Sequence, residues 1–172
     1  MAILVGEELK KAITSGHIKI EPLDEIQIGP GSVDLTLGND FRIFPKSENT
    51  YQIKDDSSFE DITELVSVKD GEVITINPGE MILGITREKI VLPKNISGRL
   101  EGRSRFARFG LAVHVTASFM QPGISNRQVL EIVNLGHRPL ALSPGIKICQ
   151  FIFEECKGEA EYKGIFSGQE KP

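Results

Sequence analysis

The chain has 172 residues, with 20 basic and 24 acidic side chains, two cysteines, three histidines and a formal net charge of −4. A chain of this length buries roughly 70% of the surface its unfolded form exposes, enough for one domain with a full apolar core and no metal or disulfide staple. The slight acidic excess excludes a general phosphate-backbone binder, so nucleic acid is not an expected partner and any anion site must be local.

The opening MAILVGEELKK carries too short an apolar run for a secretory signal, and no later stretch reaches the about 18 apolar residues of a membrane span. A soluble cytoplasmic protein without a membrane partner is the expectation. Residues 6–15, GEELKKAITS, place Leu9, Ala12 and Ile13 at helical spacing ahead of Gly16, which predicts one N-terminal helix. Short apolar stretches then alternate with turn residues: SVDLTLG (32–38), DFRIF (40–44), EVITI (72–76), MILGIT (81–86), KIVL (89–92), LAVHVT (111–116), QVLEIVN (128–134) and IKICQFIF (146–153). This is a mainly β pattern. Pro-Gly pairs at 30–31, 78–79, 122–123 and 144–145 punctuate it as turns, without an internal repeat. The polar, acidic residues 46–71 read as a solvated surface excursion with one short strand near Tyr51 to Lys54. Cys149 and Cys156 fit neither a CxxC pair nor a zinc-ligand spacing, so no zinc site is expected. Residues 157–172, with three glycines and scattered apolar side chains, cannot hold an element alone. They read as a mobile tail that could also fold over a ligand through Tyr162, Phe166 and Gln169. The whole chain, 1–172, reads as a single domain.

Two segments carry chemistry. In GRSRFARFG (102–110), Ser104 is a good N-cap, and Arg105 and Arg108 stand one helical turn apart with Arg103 beside them. Guanidinium forks and the free N–H groups of a helix start could hold a polyphosphate there; a solvent-facing turn with its arginines paired to surface carboxylates is the equal alternative. In QVLEIVN, strand alternation sets Val129, Glu131 and Val133 on one face and Leu130 and Ile132 on the other, so Glu131 is the one charge in an apolar run. Such a strand is expected to be buried on both faces. Burial would raise the pKa of this carboxyl toward neutrality, where it can both take and return a proton; a core glutamate held by an arginine is the alternative. His114, alternating with Val113 and Val115, reads as a satisfied core or interface histidine. No nucleophile elbow, GxxxxGK[ST] loop or zinc-deaminase signature is present, so any deamination would proceed without zinc.

Taken in order, GPGSVDLTLGNDFRIF, PGEMILGITREKIVLP, GRLEGRSRFARFGLAVHVTASFMQPG and QVLEIVN resemble the dCTP deaminases of the dUTPase-like superfamily, from about Gly29 to Phe153 with a weaker echo in the tail. The resemblance implies a distorted β-barrel or jelly-roll subunit in a homotrimer with active sites between subunits. It also implies hydrolytic deamination of dCTP to dUTP and ammonia, with Mg2+ accompanying the triphosphate. The nucleotides it implies as ligands are dCTP and dUTP, with dTTP as an inhibitor. By the same likeness Ser104, the Ala117 carbonyl and Glu131 hold the attacking water, Glu131 shuttles protons, and Arg108 gives electrostatic support. Arg103 binds phosphate, and the nucleotide contacts extend over Arg103, Ser104, Arg105, Phe106, Ala107 and Arg108, then Thr116, Phe119, Gln121, Val129, Leu130 and Glu131, with Tyr162, Ile165 and Gln169 in the tail.

This chain departs from the family's pattern at four positions. Arg105 replaces a serine, Phe119 replaces the arginine of single-function enzymes, Gln121 replaces an aspartate, and Ile165 stands where the tail has a lysine, with Lys163 as a possible substitute. An aromatic residue at 119 is similar to the dUMP-forming bifunctional members, whereas a neutral amide at 121 cannot act as a general base. Three functions follow as expectations: a deaminase that stops at dUTP, a bifunctional enzyme that continues to dUMP, and a nucleotide-binding regulator of the same fold.

Overall fold

The structure, a computed structural model, describes residues 2–172. Helix α1 (Gly6–Thr14) forms where the spacing predicts it, with Leu9 fully buried, Ala12 and Ile13 packed on the core, and Glu7 and Glu8 in the first turn, where they favour the helix dipole. The strands are β1 (Lys19–Glu21), β2 (Val33–Ile43), β3 (Glu64–Ser67), β4 (Ile74–Ile76), β5 (Met81–Val91), β6 (Ile96–Gly102), β7 (Leu111–Val113), β8 (Phe119–Met120), β9 (Ser125–Asn134), β10 (Leu140–Leu142) and β11 (Lys147–Glu155). A second helix, α2 (Ser104–Ala107), lies between β6 and β7.

The main sheet has nine strands in the order β7-β9-β5-β2-β11-β6-β8, with β1 also on β5 and β3 also on β2, while β4 and β10 form a separate pair. Its long strands change partners along their length. Residues 33–36 of β2 pair with β11 and residues 40–43 with β3, and residues 89–91 of β5 pair with β1 where the earlier part of that strand pairs with β2. Register shifts between Leu37 and Phe41, between Ile85 and Lys89 and between Lys147 and Cys149 bend the strands at these exchanges. The sheet therefore curls into the half-barrel of the expected mainly β fold, and SVDLTLG with DFRIF, and MILGIT with KIVL, become single bent strands.

The core cluster contains Leu35, Leu37, Phe41, Leu130, Ile132 and Phe151, all fully buried. Close approach makes glycine obligatory at Gly98, because a Cβ there would overlap the Phe151 ring on the neighbouring strand. Gly98, together with the exposed Arg99 and Glu101, interrupts the apolar alternation of β6, which is why sequence patterning passes over this strand. Two expected strands are corrected. LAVHVT ends at Val113, because His114 takes a left-handed φ of 61° and turns the chain. Residues 51–54 form no strand; the excursion instead supplies a 3-10 turn at Phe59–Ile62 and the edge strand β3.

Gly98→Ala forces a methyl group into the Phe151 ring and is expected to destabilise the fold by about 1–3 kcal/mol. Urea unfolding checks this, with a lowered midpoint at an unchanged slope as the expected result.

Candidate active site

β9 is hydrogen-bonded on both edges, Glu131 lying opposite Leu83 of β5 and Ile132 opposite Val113 of β7. Its Leu130 and Ile132 side chains face the core, while Val129, Glu131 and Val133 are half-buried. The strand is thus not buried on both faces. One face packs on the core, and the other lines a cavity of ≈ 730 Å³ walled by Met81, Leu83, Phe119, Ile124, Tyr162 and Phe166. Among the described residues, Glu131 is the only acidic side chain on that wall.

The turn at His114 decides the state of this carboxyl. The His114 N–H donates to the Glu131 carbonyl at 2.7 Å, and the loop then doubles back so that the Thr116 N–H donates to Glu131 Oε2 at 2.6 Å and the Thr116 hydroxyl to Oε1 at 2.5 Å. The His114 ring clamps the loop by donating Nε2–H to the Ala117 carbonyl at 2.7 Å. Its Nδ1 is buried and has no hydrogen-bond partner among the described residues, so the histidine is only half satisfied. Burial pushes the Glu131 pKa up, but the Thr116 hydroxyl and N–H and the nearby His114 ring more than offset it, leaving the carboxyl below its ordinary value. The expected rise toward neutrality is therefore corrected: burial acts in that direction, and the two hydrogen bonds from Thr116, invisible in the sequence, outweigh it. Glu131 rests ionised in a mostly apolar cavity, with one lone pair left on each oxygen.

The arginine turn forms a second cavity. α2 is a four-residue helix whose N-cap is Arg103, not Ser104; Ser104 is its first helical residue. Phe106 packs on the core, and Ala107 is exposed. Ser104, Arg105, Arg108 and Phe109 line an open cavity of ≈ 420 Å³ that shares no lining residue with the Glu131 cavity. Arg105 and Arg108 make no ion pair among the described residues. Arg103 turns inward, its Nη2 standing 2.9 Å from Asp34 Oδ2 and its Nη1 donating to the Lys147 carbonyl at 2.7 Å.

Thr116, Ala117, Phe119, Gln121, Val129, Tyr162 and Gln169 all reach the Glu131 cavity. Leu130 presents its side chain to the core instead. Ile165 is 90% exposed and borders an adjoining open cavity that shares Phe59, Phe166, Gln169 and Pro172 with the Glu131 cavity. Residues 157–172 hold no helix or strand, yet they run across the site. The Tyr162 N–H donates to the Pro122 carbonyl at 3.0 Å, Asn126 Nδ2 to the Phe166 carbonyl at 2.7 Å, and the Arg127 N–H to the Gln169 carbonyl at 3.0 Å. Glu170 pairs with Lys89 at 2.7 Å and with Arg127 at 3.1 Å.

Sequence reasoning misses Phe44, Phe59, Asn126 and Gln128, which also line the cavity. Two polar side chains in the alternation register of Leu130 and Ile132 are the signal for Asn126 and Gln128; nothing in the polar excursion marks Phe59. No helix of the described residues is long and apolar enough to cross a membrane. No three His, Cys, Asp or Glu side chains among the described residues converge as ligands; a Mg2+ that arrives on a triphosphate is held by phosphate oxygens and water and needs no such cluster, and no step below runs through one.

A family model described as dCTP deaminase-like matches residues 3–156. A dUMP-forming dCTP deaminase of Methanothermobacter thermautotrophicus is 44% identical over 164 residues, covering 94% of this chain and 83% of its own length. The dUMP-forming dCTP deaminase of Methanobrevibacter smithii is 40% identical over 163 residues, 94% of this chain and 84% of that one. Among solved structures, the 2'-deoxycytidine 5'-triphosphate deaminase from Agrobacterium tumefaciens superposes with a TM-score of 0.68 over 89% of this chain and 48% of its own, at 19% identity. That likeness is one of fold, as is the TM-score of 0.50 at 12% identity with a dUTPase from phage phi11 of S. aureus, over 86% of this chain and 96% of that one. The chain belongs to the dCTP deaminase-like family and has a dUTPase-like fold.

Thr116→Val removes the hydroxyl donor while keeping the backbone one. It is expected to raise the Glu131 pKa, moving the acid limb of activity and the side-chain NMR titration of Glu131 to higher pH. Because the folded pKa lies below the unfolded one, Glu131 contributes stability above the unfolded value that is lost as pH falls through the folded value, and this loss should shrink in the variant.

Proposed function

We propose that the chain is an enzyme that hydrolytically deaminates dCTP, with Glu131 as the proton carrier. The observation that carries this reading is a carboxyl group held by two hydrogen bonds from Thr116 in a mostly apolar cavity large enough for a nucleobase. A water placed against Glu131 and the Ala117 carbonyl loses a proton to the carboxylate as its oxygen forms a bond to C4 of cytosine. Glu131 passes that proton to N3, giving a tetrahedral adduct. The second proton of the attacking oxygen then goes, through Glu131, to the exocyclic nitrogen; the C4–N4 bond breaks, and ammonia leaves. Seating the base expels water other than the attacking one and strengthens the burial effect, which brings the depressed Glu131 pKa up toward the value a shuttle needs.

The names of the relatives favour a second reading, in which dUTP is hydrolysed further to dUMP and pyrophosphate. Gln121 argues for a stop at dUTP: it lines the cavity as a neutral amide, and Glu131 has no acidic companion on that wall among the described residues. Chromatography of all products from dCTP with Mg2+ decides between them. Ammonia with dUTP is the expected result; dUMP with pyrophosphate establishes the second reading, and no ammonia at all removes both. Glu131→Gln should lower ammonia release by about 10²- to 10⁴-fold while still binding dCTP.

The cations of the arginine turn and the Glu131 carboxylate line different cavities of one chain, which supports assembly of the complete site between copies of a homotrimer. Phe109 and Leu135, exposed beside the turn, are suited to cover by a neighbouring copy. Two inactive variants, Glu131→Gln and Arg108→Ala, refolded together in equal amounts should regain about one quarter of wild-type activity, since that share of shared sites draws an intact half from each. Absence of any recovery places both halves in one chain.

A further inference from the structure

We infer that Asp34 is a positioning residue for the arginine turn: it locks Arg103 as an internal strut, so that Arg105 and Arg108 form the polyphosphate grip. The inference rests on the nucleotide-binding reading above and concerns which side chains hold the charged end. Arg103 is held from two strands, through Nη2 by Asp34 on β2 at 2.9 Å and through Nη1 by the Lys147 carbonyl on β11 at 2.7 Å, and its side chain is 27% exposed. Asp34 is fixed in turn, because its carbonyl accepts Gln27 Nε2 at 2.8 Å, and the same nitrogen donates to the buried Glu88 at 2.7 Å. Glu88 closes the circuit by accepting the Thr36 N–H at 2.8 Å.

This circuit reaches α2 through Arg103, whose carbonyl accepts the N–H groups of Phe106 at 2.9 Å and Ala107 at 3.1 Å. A four-residue helix without a side-chain cap has no stability of its own, so its orientation is imposed by this anchor and by Phe106 on the core. Arg105 and Arg108 then project, without ion pairs among the described residues, into the open cavity beside Ser104 and Phe109. Two unpaired guanidinium forks in reach of one anion match the oxygens of a polyphosphate, and Arg105 supplies the cation that Arg103 has committed inward.

The test is calorimetric titration of the full chain with inorganic tripolyphosphate, for wild type, Asp34→Asn, Arg103→Met, the Asp34→Asn/Arg103→Met double variant and Arg105→Ala. Wild type binds, and Asp34→Asn, Arg103→Met and Arg105→Ala each weaken binding by about tenfold. The double variant binds no more weakly than Arg103→Met, because both residues act through one link. In turnover the loss falls on KM for dCTP rather than on kcat. The inference is overturned by unchanged affinity in Asp34→Asn, by losses that add in the double variant, which would put Arg103 on the anion itself, or by a wild type that ignores tripolyphosphate. Arg105 is exposed, so its variant folds even if the Asp34 variant does not, and unchanged affinity in Arg105→Ala also overturns it. Ammonia release is read separately: a wild type that grips tripolyphosphate without deaminating dCTP removes the proposed activity and leaves this inference standing.

Discussion

The hold of Thr116 on the Glu131 carboxylate is the interaction on which the account of this site depends. A carboxylate on a strand lined by valines would otherwise protonate or leave the cavity. Two donors from one residue keep it charged and fix its direction, and they are delivered by a loop that turns at a left-handed histidine and is clamped by that histidine's own ring. The arrangement holds a carboxylate in an apolar setting without an arginine partner, so both oxygens keep a lone pair for a further donor.

The curled sheet puts that carboxylate on the wall of an open cavity. Partner exchange along β2 and β5 and the register shifts beside the exchanges turn one face of β9 from the core toward a cavity. The C-terminal residues then supply the wall that the sheet lacks, joined to β9 by the Arg127 backbone hydrogen bond and by the pair of Glu170 with Arg127, and to β5 by the pair of Glu170 with Lys89. The polar excursion contributes Phe59 at the rim, where Arg42 stacks on its ring and pairs with Glu60 at 2.8 Å. Surface segments thus finish an enclosure whose floor is regular β structure.

Much of this is legible in the sequence where periodicity reports a single physical cause. The alternation of QVLEIVN marks Glu131 as a charge in an apolar strand, and the spacing of Leu9, Ala12 and Ile13 marks the helix. Legibility fails where two causes compete. β6 carries charges and an obligatory glycine, so the packing demand of Phe151 hides its strand character. The direction of the Glu131 pKa depends on Thr116, which only the turn at His114 brings near. Arg103 looks equivalent to Arg105 and Arg108 in the chain, and only the fold reveals that Asp34 and the Lys147 carbonyl occupy it. The family resemblance supplies what local patterns cannot, the association of this fold with cytosine nucleotides.

If the proposed chemistry holds, the base of the nucleotide enters the cavity of Glu131 with its reacting carbon toward that carboxyl. A crystal structure of Glu131→Gln with dCTP bound tests it most directly. Cytosine C4 should lie within reach of side chain 131 through one water, between Thr116 and the walls formed by Met81 and Phe119, with the water about 3 Å from C4. A nucleotide whose base sits outside this cavity, or points its C4 edge away from position 131, contradicts the account.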